Sequence, residues 1–291
     1  MSKLLFYPIL LFIYLFSLIP KKVHYLFSDI SAWLLRDLFK YRVDVVVTNI
    51  ARSFPEKKYK EIKAIVRKFY LNFTDNFFEM LWSVSKSQEK NRANVTAENL
   101  DVLTSAFKLG GSAMVVLGHQ ANWEQMLAID ISPSGFRNED MRMVYKKMNS
   151  KLSDLLIHWI RGRRSAGTLV EMNDIARYMF KHKDEQLCYI FIADQAPLPG
   201  SKYVTTFLNQ KTRFFSGPEQ LSRKLEIPVL YLNIERVERG KYIAGLSSIT
   251  EHPSSLSDGE ISQRFAALLE EGIIKAPSDW LWTHRRWKRD N

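Results

Sequence analysis

Cysteine is almost absent from this chain: Cys188 is the only one in 291 residues. An intrachain disulfide is therefore excluded, and a zinc site built from cysteine pairs is excluded with it. Cys188 lies in an apolar run, where a thiol usually packs as a small hydrophobic side chain. A single unpaired thiol fits a reducing environment, so we expect the body of the protein to face the cytosol.

Three catalytic signatures are missing as well. The chain contains no His-Glu-x-x-His, no Gly-x-Ser-x-Gly and no Walker-type Gly-Lys-Ser/Thr loop. These absences disfavour a zinc hydrolase, a serine hydrolase and a nucleotidase. Any catalytic site must therefore be built from another arrangement of side chains.

Acidic residues are too few to balance the basic ones. There are 31 Asp and Glu against 42 Lys and Arg, which gives a formal net charge of +11. Such a surface attracts anions, and nucleic acid, an anionic bilayer and a phosphorylated or acidic substrate all fit this charge. With 46% hydrophobic residues the chain is globular rather than disordered, and its length fits one catalytic domain with an N-terminal appendage.

The N-terminus is a stretch without charge. Residues 4–19 carry no charged side chain and are rich in Leu, Ile and Phe. At about 1.5 Å per residue this run is slightly short for a hydrocarbon core about 30 Å thick, so it either spans with local thinning or lies in one leaflet. No Ala-x-Ala-like cleavage site follows it. We therefore expect residues 1–22 to form an uncleaved membrane anchor helix.

The charges around this run predict its orientation. One cation, Lys3, precedes the run, and a group of cations follows it: Lys21, Lys22, Arg36, Lys40 and Arg42. This bias places the catalytic domain on the cytoplasmic side of the inner membrane. Residues 23–39 are rich in aromatic and aliphatic side chains, which favours a helix at the membrane interface, with an ordinary core helix as the alternative.

The rest of the chain is typical of one domain, residues 23–291. The segment at 52–56 predicts the start of an amphipathic helix, so residues 23–83 are expected to be helical. From about residue 113, β-branched runs alternate with helical patterns. Strands are predicted at 113–117, 141–145, 168–172, 187–193 and 227–234. Helices are predicted at 122–129, 150–160, 173–180, 218–225 and 257–274. This alternation predicts an α/β core over residues 100–291, with a mostly parallel central sheet flanked by helices.

The most informative segment lies just past the strand predicted at 113–117. Gly118 and His119 follow that strand, and Glu124 comes five residues after the histidine. Sites in α/β sheets are usually built at such strand ends. If Asn122 caps the next helix, Glu124 lies in its first turn and can point back to His119. The pair then resembles a general base and its orienting carboxylate, which together activate a hydroxyl; a purely structural histidine is the alternative.

Three arginines follow the helix predicted at 150–160. Arg161, Arg163 and Arg164 lie within four residues. Cations at a helix C-terminus offset the macrodipole, whereas a guanidinium fork can also bind phosphate oxygens. The pattern is compatible with both interpretations.

Polar and aromatic residues follow the later strands. Asp194 and Gln195 come directly after the strand predicted at 187–193, a common position for a site and equally for a turn-capping aspartate. The run at 280–289 interleaves tryptophan with cations, which suits nucleic-acid stacking or an anionic membrane interface. Because the N-terminus is apolar, we expect the membrane interface.

Taken together, these segments resemble the bacterial lipid A biosynthesis acyltransferase family, the late lauroyl- and myristoyl-type enzymes related to glycerolipid acyltransferases. The resemblance covers nearly the whole chain. Besides the N-terminal apolar stretch, it rests on Arg52-Ser53-Phe54-Pro55-Glu56, Gly118-His119-Gln120-Ala121-Asn122-Trp123-Glu124, Val144-Tyr145-Lys146, Asp194-Gln195 and Trp280-Leu281-Trp282-Thr283-His284-Arg285-Arg286-Trp287-Lys288. The chain departs from the family at Lys146, where arginine is more usual.

The resemblance implies a glycerolipid-acyltransferase-like fold and a catalytic dyad at the matching His119 and Glu124. The implied reaction moves a fatty acyl chain from an acyl-carrier-protein thioester to a hydroxyl of a lipid A precursor. The implied partners are the carrier protein, the glycolipid acceptor and the inner membrane, with no nucleic acid, no metal and no cofactor. The substrate-binding residues are expected to be Gly118, Asn122, Tyr145, Lys146, Arg161, Arg163, Arg164, Asp194 and Gln195.

Two alternatives stay open. The same chemistry can act on another acceptor, such as an amino-acid lipid, a mannolipid or a lysophospholipid, and assays of acceptors separate these cases. A non-enzymatic membrane or nucleic-acid-binding protein would use the positive charge, but it would leave Gly118, His119 and Glu124 without a purpose.

Overall fold

The structure of the protein is a computed structural model that describes residues 2–109, 111–197, 201 and 203–287. Its helices are α1 (Ser2–Ser17), α2 (Lys21–Trp33), α3 (Val43–Ser53), α4 (Tyr59–Ser83), α5 (Gln88–Arg92), α6 (Leu100–Lys108), α7 (Lys151–Arg164), α8 (Ile175–Lys181), α9 (Gly217–Leu225) and α10 (Glu260–Lys275). Its strands are β1 (Val95–Glu98), β2 (Ala113–Leu117), β3 (Met141–Tyr145), β4 (Thr168–Glu171), β5 (Cys188–Ile192), β6 (Val204–Phe207), β7 (Gln210–Arg213), β8 (Val229–Glu238) and β9 (Lys241–Thr250).

A seven-stranded sheet forms the centre of the molecule, in the order β1-β9-β8-β2-β5-β3-β4. Neighbouring strands in this sheet are parallel except for β8 and β9, which form an antiparallel hairpin. The short strands β6 and β7 pair separately. The prediction of an α/β fold with a mostly parallel sheet is therefore confirmed.

The central strand β2 shows why the sheet is buried on both sides. Met114 and Val116 belong to the apolar core on one face, whereas Ala113, Val115 and Leu117 belong to the core on the other. All five side chains are buried, so the strand reads as a continuous apolar run. Burying each large aliphatic side chain stabilises the fold by roughly 1.5–3 kcal/mol. Strand β2 therefore holds its carboxyl end rigidly in the middle of the molecule.

Two elements differ from their predictions. The segment at 52–56 does not start a helix, because α3 ends at Ser53 and α4 begins at Tyr59. The physical reason is Pro55, which disfavours the helical conformation of Phe54, whose φ is −132° and ψ 67°. The helix predicted at 122–129 is a 3-10 helix, Trp123–Ala128. Strands β1, β6, β7 and β9 were not predicted.

The N-terminal helices expose apolar side chains. No single helix in the described residues is long and apolar enough to cross a membrane; α1 and the stretch from Lys21 to Leu38 pass that test only as a pair, bent by 113°. On α2 the buried face is His24, Ser28 and Ala32, whereas Leu26 and Trp33 are more than half exposed. This is the reverse of a helix that buries its apolar stripe in a protein core.

Helix α2 nevertheless packs against the body of the protein. Ser28 Oγ donates to Asp75 Oδ1 of α4 at 2.7 Å, and Tyr25 OH donates to Glu79 Oε1 at 3.0 Å. Residues 23–39 therefore use one small, polar face as a core contact and leave an apolar face outside. The assignment of residues 1–22 as a separate membrane anchor stays a prediction.

Candidate active site

The site is built on the turn that leaves β2. Ala121 in this turn adopts a left-handed conformation, with φ of +45°, which is unfavourable for a residue with a Cβ. The turn is held from both sides: Ala121 N donates to Asp279 O at 2.6 Å, and Asn76 Nδ2 donates to Ala121 O at 2.5 Å. These two hydrogen bonds hold the turn in its strained conformation, as is typical of functional sites.

His119 and Asp194 face each other at the carboxyl ends of β2 and β5. Leu117 pairs with Ile192 in the parallel register, and each functional residue follows its strand by two positions. His119 Nδ1 lies 2.5 Å from Asp194 Oδ1, and the backbone N of His119 donates to Asp194 Oδ2 at 2.8 Å. The structure therefore brings together two residues that the sequence separates by 75 positions.

Asp194 is ionised in this setting. Burial by itself raises the pKa of its carboxyl, but the charge of His119, the two hydrogen bonds from His119 and one from Trp280 together lower that pKa to about 2. A carboxylate on Nδ1 fixes the tautomer that carries its proton on Nδ1 and leaves Nε2 as the basic nitrogen. Nε2 lies 3.3 Å from Gln195 Nε2, and the His119 side chain is 14% exposed. The basic nitrogen therefore accepts a hydrogen bond from the Gln195 amide at the exposed side of the site.

Gly118 allows this close approach. A Cβ at this position would lie 3.2 Å from Asp194 Oδ2 and 2.4 Å from Leu269 Cδ1. The first contact is tight and the second is a clash. Glycine at position 118 thus has a steric basis, and the expected contact of Gly118 with substrate stays a prediction.

Glu124 contacts arginines rather than the imidazole. Arg161 Nη2 lies 2.5 Å from Glu124 Oε1, Arg161 Nε donates to Oε2 at 3.2 Å, and Arg164 Nη1 is 3.6 Å from Oε2. Burial raises the pKa of Glu124, but the charges of both arginines and of His119 lower it on balance. The orienting contact expected from Glu124 is made by Asp194, because the left-handed turn and the 3-10 helix direct Glu124 toward α7. A catalytic role for Glu124 stays a prediction.

The three arginines have different surroundings. Arg164 is fully buried, and no nitrogen of its guanidinium has a hydrogen-bond partner among the described residues. Arg163 turns away: its Nε donates to Val84 O at 3.3 Å and its guanidinium stacks on Trp159. Arg161 and Arg164 therefore lie together at the site, and Arg163 does not join them.

The other predicted residues lie around the same sheet edge. Asn122 does not cap the following helix; its Nδ2 donates to Glu79 Oε2 at 2.7 Å. Tyr145 ends β3 and packs edge-on against His158 of α7, and Lys146 is exposed beside it. These positions are compatible with substrate contact, which stays a prediction.

Two functional neighbours were missed by sequence reasoning. Glu79 on α4 accepts from Asn122, from Tyr25 OH and from Tyr242 OH. Trp280 Nε1 donates to Asp194 Oδ2 at 2.7 Å. The signal for Glu79 was its spacing of four residues from Asp75 on α4, whose buried face also carries Asn72 and Asn76.

The tryptophans near the C-terminus are not at a membrane interface. Trp280, Trp282 and Trp287 are 3%, 0% and 4% exposed. Each indole N-H has a protein acceptor: Asp194, Pro277 O and Thr212 Oγ1. The interface prediction for this run is therefore wrong for the three indoles, because they close the core under the site. Lys288 and Arg289 of the same run lie outside the described residues.

Metal ligands do not cluster at the site. In the part of the chain that the structure describes, no group of three or more His, Cys, Asp or Glu side chains is arranged to hold a metal ion. The residues that do converge are a hydrogen-bonded imidazole and carboxylate, with two arginines nearby. This set suits proton transfer from a hydroxyl and stabilisation of an anion.

A mostly parallel sheet with a His-Asp pair at its carboxyl edge defines the class: an α/β protein with a hydrogen-bonded imidazole and carboxylate at the ends of two neighbouring strands. The chain belongs to the bacterial lipid A biosynthesis acyltransferase family, whose sequence model matches residues 2–289. It is therefore an acyltransferase of the lipid A type. A search among curated proteins returned no match.

Proposed function

We propose that the protein transfers a fatty acyl chain from an acyl-carrier-protein thioester to a hydroxyl of a lipid A precursor, with His119 as the general base. The observation that carries this proposal is the pair formed by His119 Nδ1 and Asp194 Oδ1 at 2.5 Å. It leaves Nε2 to accept a proton at the exposed side of the ring. Such a base activates an alcohol without an enzyme-bound nucleophile.

The proposed reaction is a direct transfer. His119 Nε2 takes the proton of the acceptor hydroxyl while the oxygen attacks the thioester carbonyl. The tetrahedral intermediate then collapses: the carbon–sulfur bond breaks, the ester remains on the acceptor, and the imidazolium returns its proton to the departing thiolate. Asp194 stabilises the imidazolium, as an aspartate does in catalytic triads.

Arg161 and Arg164 supply the anion site in this proposal. Two guanidinium groups face one carboxylate, Glu124, so the cluster carries one positive charge in excess. Two backbone donors in the turn are engaged, since His119 N donates to Asp194 and Ala121 N donates to Asp279 O. The fully buried Arg164 then suits the oxyanion or a phosphate of the substrates. Arg163 has no part in this step.

The location proposed for the reaction is based on the apolar side chains and the charge at the protein surface. The exposed apolar side chains of α1 and α2 suit attachment to the cytoplasmic face of the inner membrane, where a lipid acceptor lies. The net charge of +11 favours the carrier protein, an anionic glycolipid and anionic lipids. No metal ion or cofactor enters the proposed steps.

The test is transfer by the purified protein. It is incubated with an acyl-carrier-protein thioester and total lipid extract, and the new acylated lipid is identified by mass spectrometry. We expect an acylated lipid A precursor, and no product from His119→Ala at unchanged thermal stability. An acylated amino-acid lipid, mannolipid or lysophospholipid as the product would change the proposed acceptor and leave the proposed reaction unchanged. Near-normal turnover by His119→Ala would sink the general-base assignment.

A further inference from the structure

We propose that Trp280 is a positioning residue for the general base: its indole N-H fixes the carboxylate of Asp194, which in turn holds the imidazole of His119. The inference rests on the proposed function of His119. It follows from a chain of three side chains whose contacts are Trp280 Nε1 to Asp194 Oδ2 at 2.7 Å and Asp194 Oδ1 to His119 Nδ1 at 2.5 Å. Trp280 itself does not touch the reacting atoms in this scheme.

Among the described residues, Trp280 is the hydrogen-bond donor to Asp194 other than His119. The other two donors to the carboxylate are the ring and the backbone N-H of His119. Both of those bonds come from one residue of the turn, so they give the pair no link to another part of the chain. An indole N-H only donates, so its partner must be an acceptor such as this carboxylate. The Trp280 bond therefore anchors the pair to a different segment of the chain.

The anchor is rigid. The backbone of Trp280 forms a bridge with Gln120 in the catalytic turn, and Gln120 Oε1 also accepts from Tyr231 OH at 2.8 Å. The indole packs edge-on against Phe207 and Trp282, with ring centroids 5.8 and 4.7 Å away. At 3% exposure the ring has no room to rotate. A donor held in this way keeps its direction through the reaction.

Loss of the Trp280 N-H should change the electrostatic interaction between Asp194 and His119 in a predictable direction. The buried carboxylate loses one of its donors, so more of its negative charge is directed at the imidazole. A proton on His119 is then held more firmly, and the ring titrates at higher pH. The same change slows turnover, because the base is less well aligned and releases its proton to the leaving thiolate less readily. Glu124 and His284 also act electrostatically with His119, and both are unchanged in the variants below.

The chain offers matched controls for this experiment. Trp280→Phe removes the N-H and keeps an aromatic ring. Trp282→Phe and Trp287→Phe make the same change at two other buried indoles, whose N-H groups donate to Pro277 O and Thr212 Oγ1 instead. A role in packing alone predicts similar behaviour for all three variants.

We expect Trp280→Phe to lower kcat about tenfold or more while KM changes less than about twofold, since a hydrogen bond to a charged group is lost and no substrate contact is. The acidic limb of its pH–rate profile should move to higher pH, with no such shift in the two controls. An unchanged limb in Trp280→Phe, or an equal shift in the controls, would overturn the proposal.

A second readout does not depend on activity. The ring of His119 is titrated by NMR with isotopically labelled histidine, and its signal is assigned by its loss in His119→Ala. An upward shift in Trp280→Phe alone supports the positioning role even if the wild type transfers no acyl group, in which case only the proposed function fails. If Trp280→Phe does not fold, 3-benzothienylalanine at position 280 replaces the N-H by sulfur at nearly the same shape. An unshifted titration in that variant overturns the proposal.

Discussion

Arg161 and Glu124 form a two-point ion pair across the site, with Nη2 to Oε1 at 2.5 Å and Nε to Oε2 at 3.2 Å. The pair joins the 3-10 helix Trp123–Ala128 to the last turn of α7. A fork of two parallel donors on a carboxylate is specific to arginine. The contact therefore fixes where the second guanidinium, that of Arg164, lies beside Glu124.

Arg161→Lys should lower kcat/KM for acyl transfer about tenfold or more, because a lysine keeps the charge and loses the fork. The measurement is steady-state transfer from the carrier-protein thioester, with thermal unfolding recorded in parallel. Arg163→Lys is the matched control, since Arg163 bonds Val84 O and stacks on Trp159 outside the pair. The assignment fails if the two variants have equal kcat/KM.

The position of the site at the carboxyl edge of the sheet could be predicted from the sequence, but the contacts among its residues could not. Strands β2 and β5 are continuous apolar runs, and His119 and Asp194 each stand two residues past their ends. That equal offset brings them together because β2 and β5 are neighbours in the sheet, an adjacency that the sequence did not show. The ion pair of Glu124 was not predicted, because it depends on Arg161, 37 positions away on another helix, and on the left-handed turn at Ala121.

Strand β9 has a recognisable sequence pattern, whereas the contact between Trp280 and Asp194 has none. Strand β9 alternates buried and partly exposed residues, and the period of two at Tyr242, Ala244 and Leu246 was sufficient to predict it. The bond from Trp280 to Asp194 spans 86 positions. Alternating tryptophan and cations look the same in sequence whether the rings face lipid or a core, so only the tertiary packing decides.

Gly118→Ala should lower both stability and activity. Its Cβ would lie 2.4 Å from Leu269 Cδ1, and Leu269 is fully buried in α10 and cannot move freely. Overpacking of this kind costs about 1–3 kcal/mol. The measurement is chemical unfolding of the wild type, Gly118→Ala, Leu269→Ala and the double variant. Leu269→Ala removes the clashing atom, so the loss of unfolding free energy in the double variant should be about 1 kcal/mol smaller than the sum of the two single losses. Additive losses would contradict the steric explanation.

His284 should make the fold sensitive to mild acid. Burial, with the charges of Arg286, His119 and Arg42, outweighs the attraction of Asp194 and lowers the pKa of His284 to about 4. The unfolded chain binds this proton from about pH 6.5, so stability is complete above that pH and is lost as the pH falls toward 4. Because the ring is partly exposed, we expect a loss of about 1 kcal/mol between pH 7 and 5, or roughly 2–4 °C in Tm.

The measurement is Tm against pH for the wild type and for His284→Gln, which cannot titrate. The variant starts from its own Tm at pH 7, so only the slope is compared. Carboxylates titrate in both proteins and cancel in this difference. A slope in His284→Gln as steep as in the wild type would assign the acid sensitivity to other groups.

The exposed apolar face of α1 should govern attachment to a bilayer. Leu11, Phe12 and Leu15 are 60%, 67% and 55% exposed, and their spacing places them on one side of the helix. Full burial of one such side chain in hydrocarbon is worth roughly 1.5–3 kcal/mol. Changing all three to Asn should therefore lower partitioning onto vesicles containing anionic lipid by at least about tenfold, as measured by co-sedimentation.

The control is an exposed apolar side chain outside the N-terminal helices. Phe180 on α8 is 47% exposed, and Phe180→Asn should leave partitioning unchanged. Activity on detergent-dispersed acceptor should survive in the triple variant, because α1 contributes no residue to the His119 and Asp194 pair. Activity on vesicle-embedded acceptor should fall with partitioning, since the helix then supplies location rather than chemistry. Equal vesicle binding by the triple variant and the wild type would move the attachment to α2, whose Leu26, Ile30 and Trp33 are the next exposed apolar side chains.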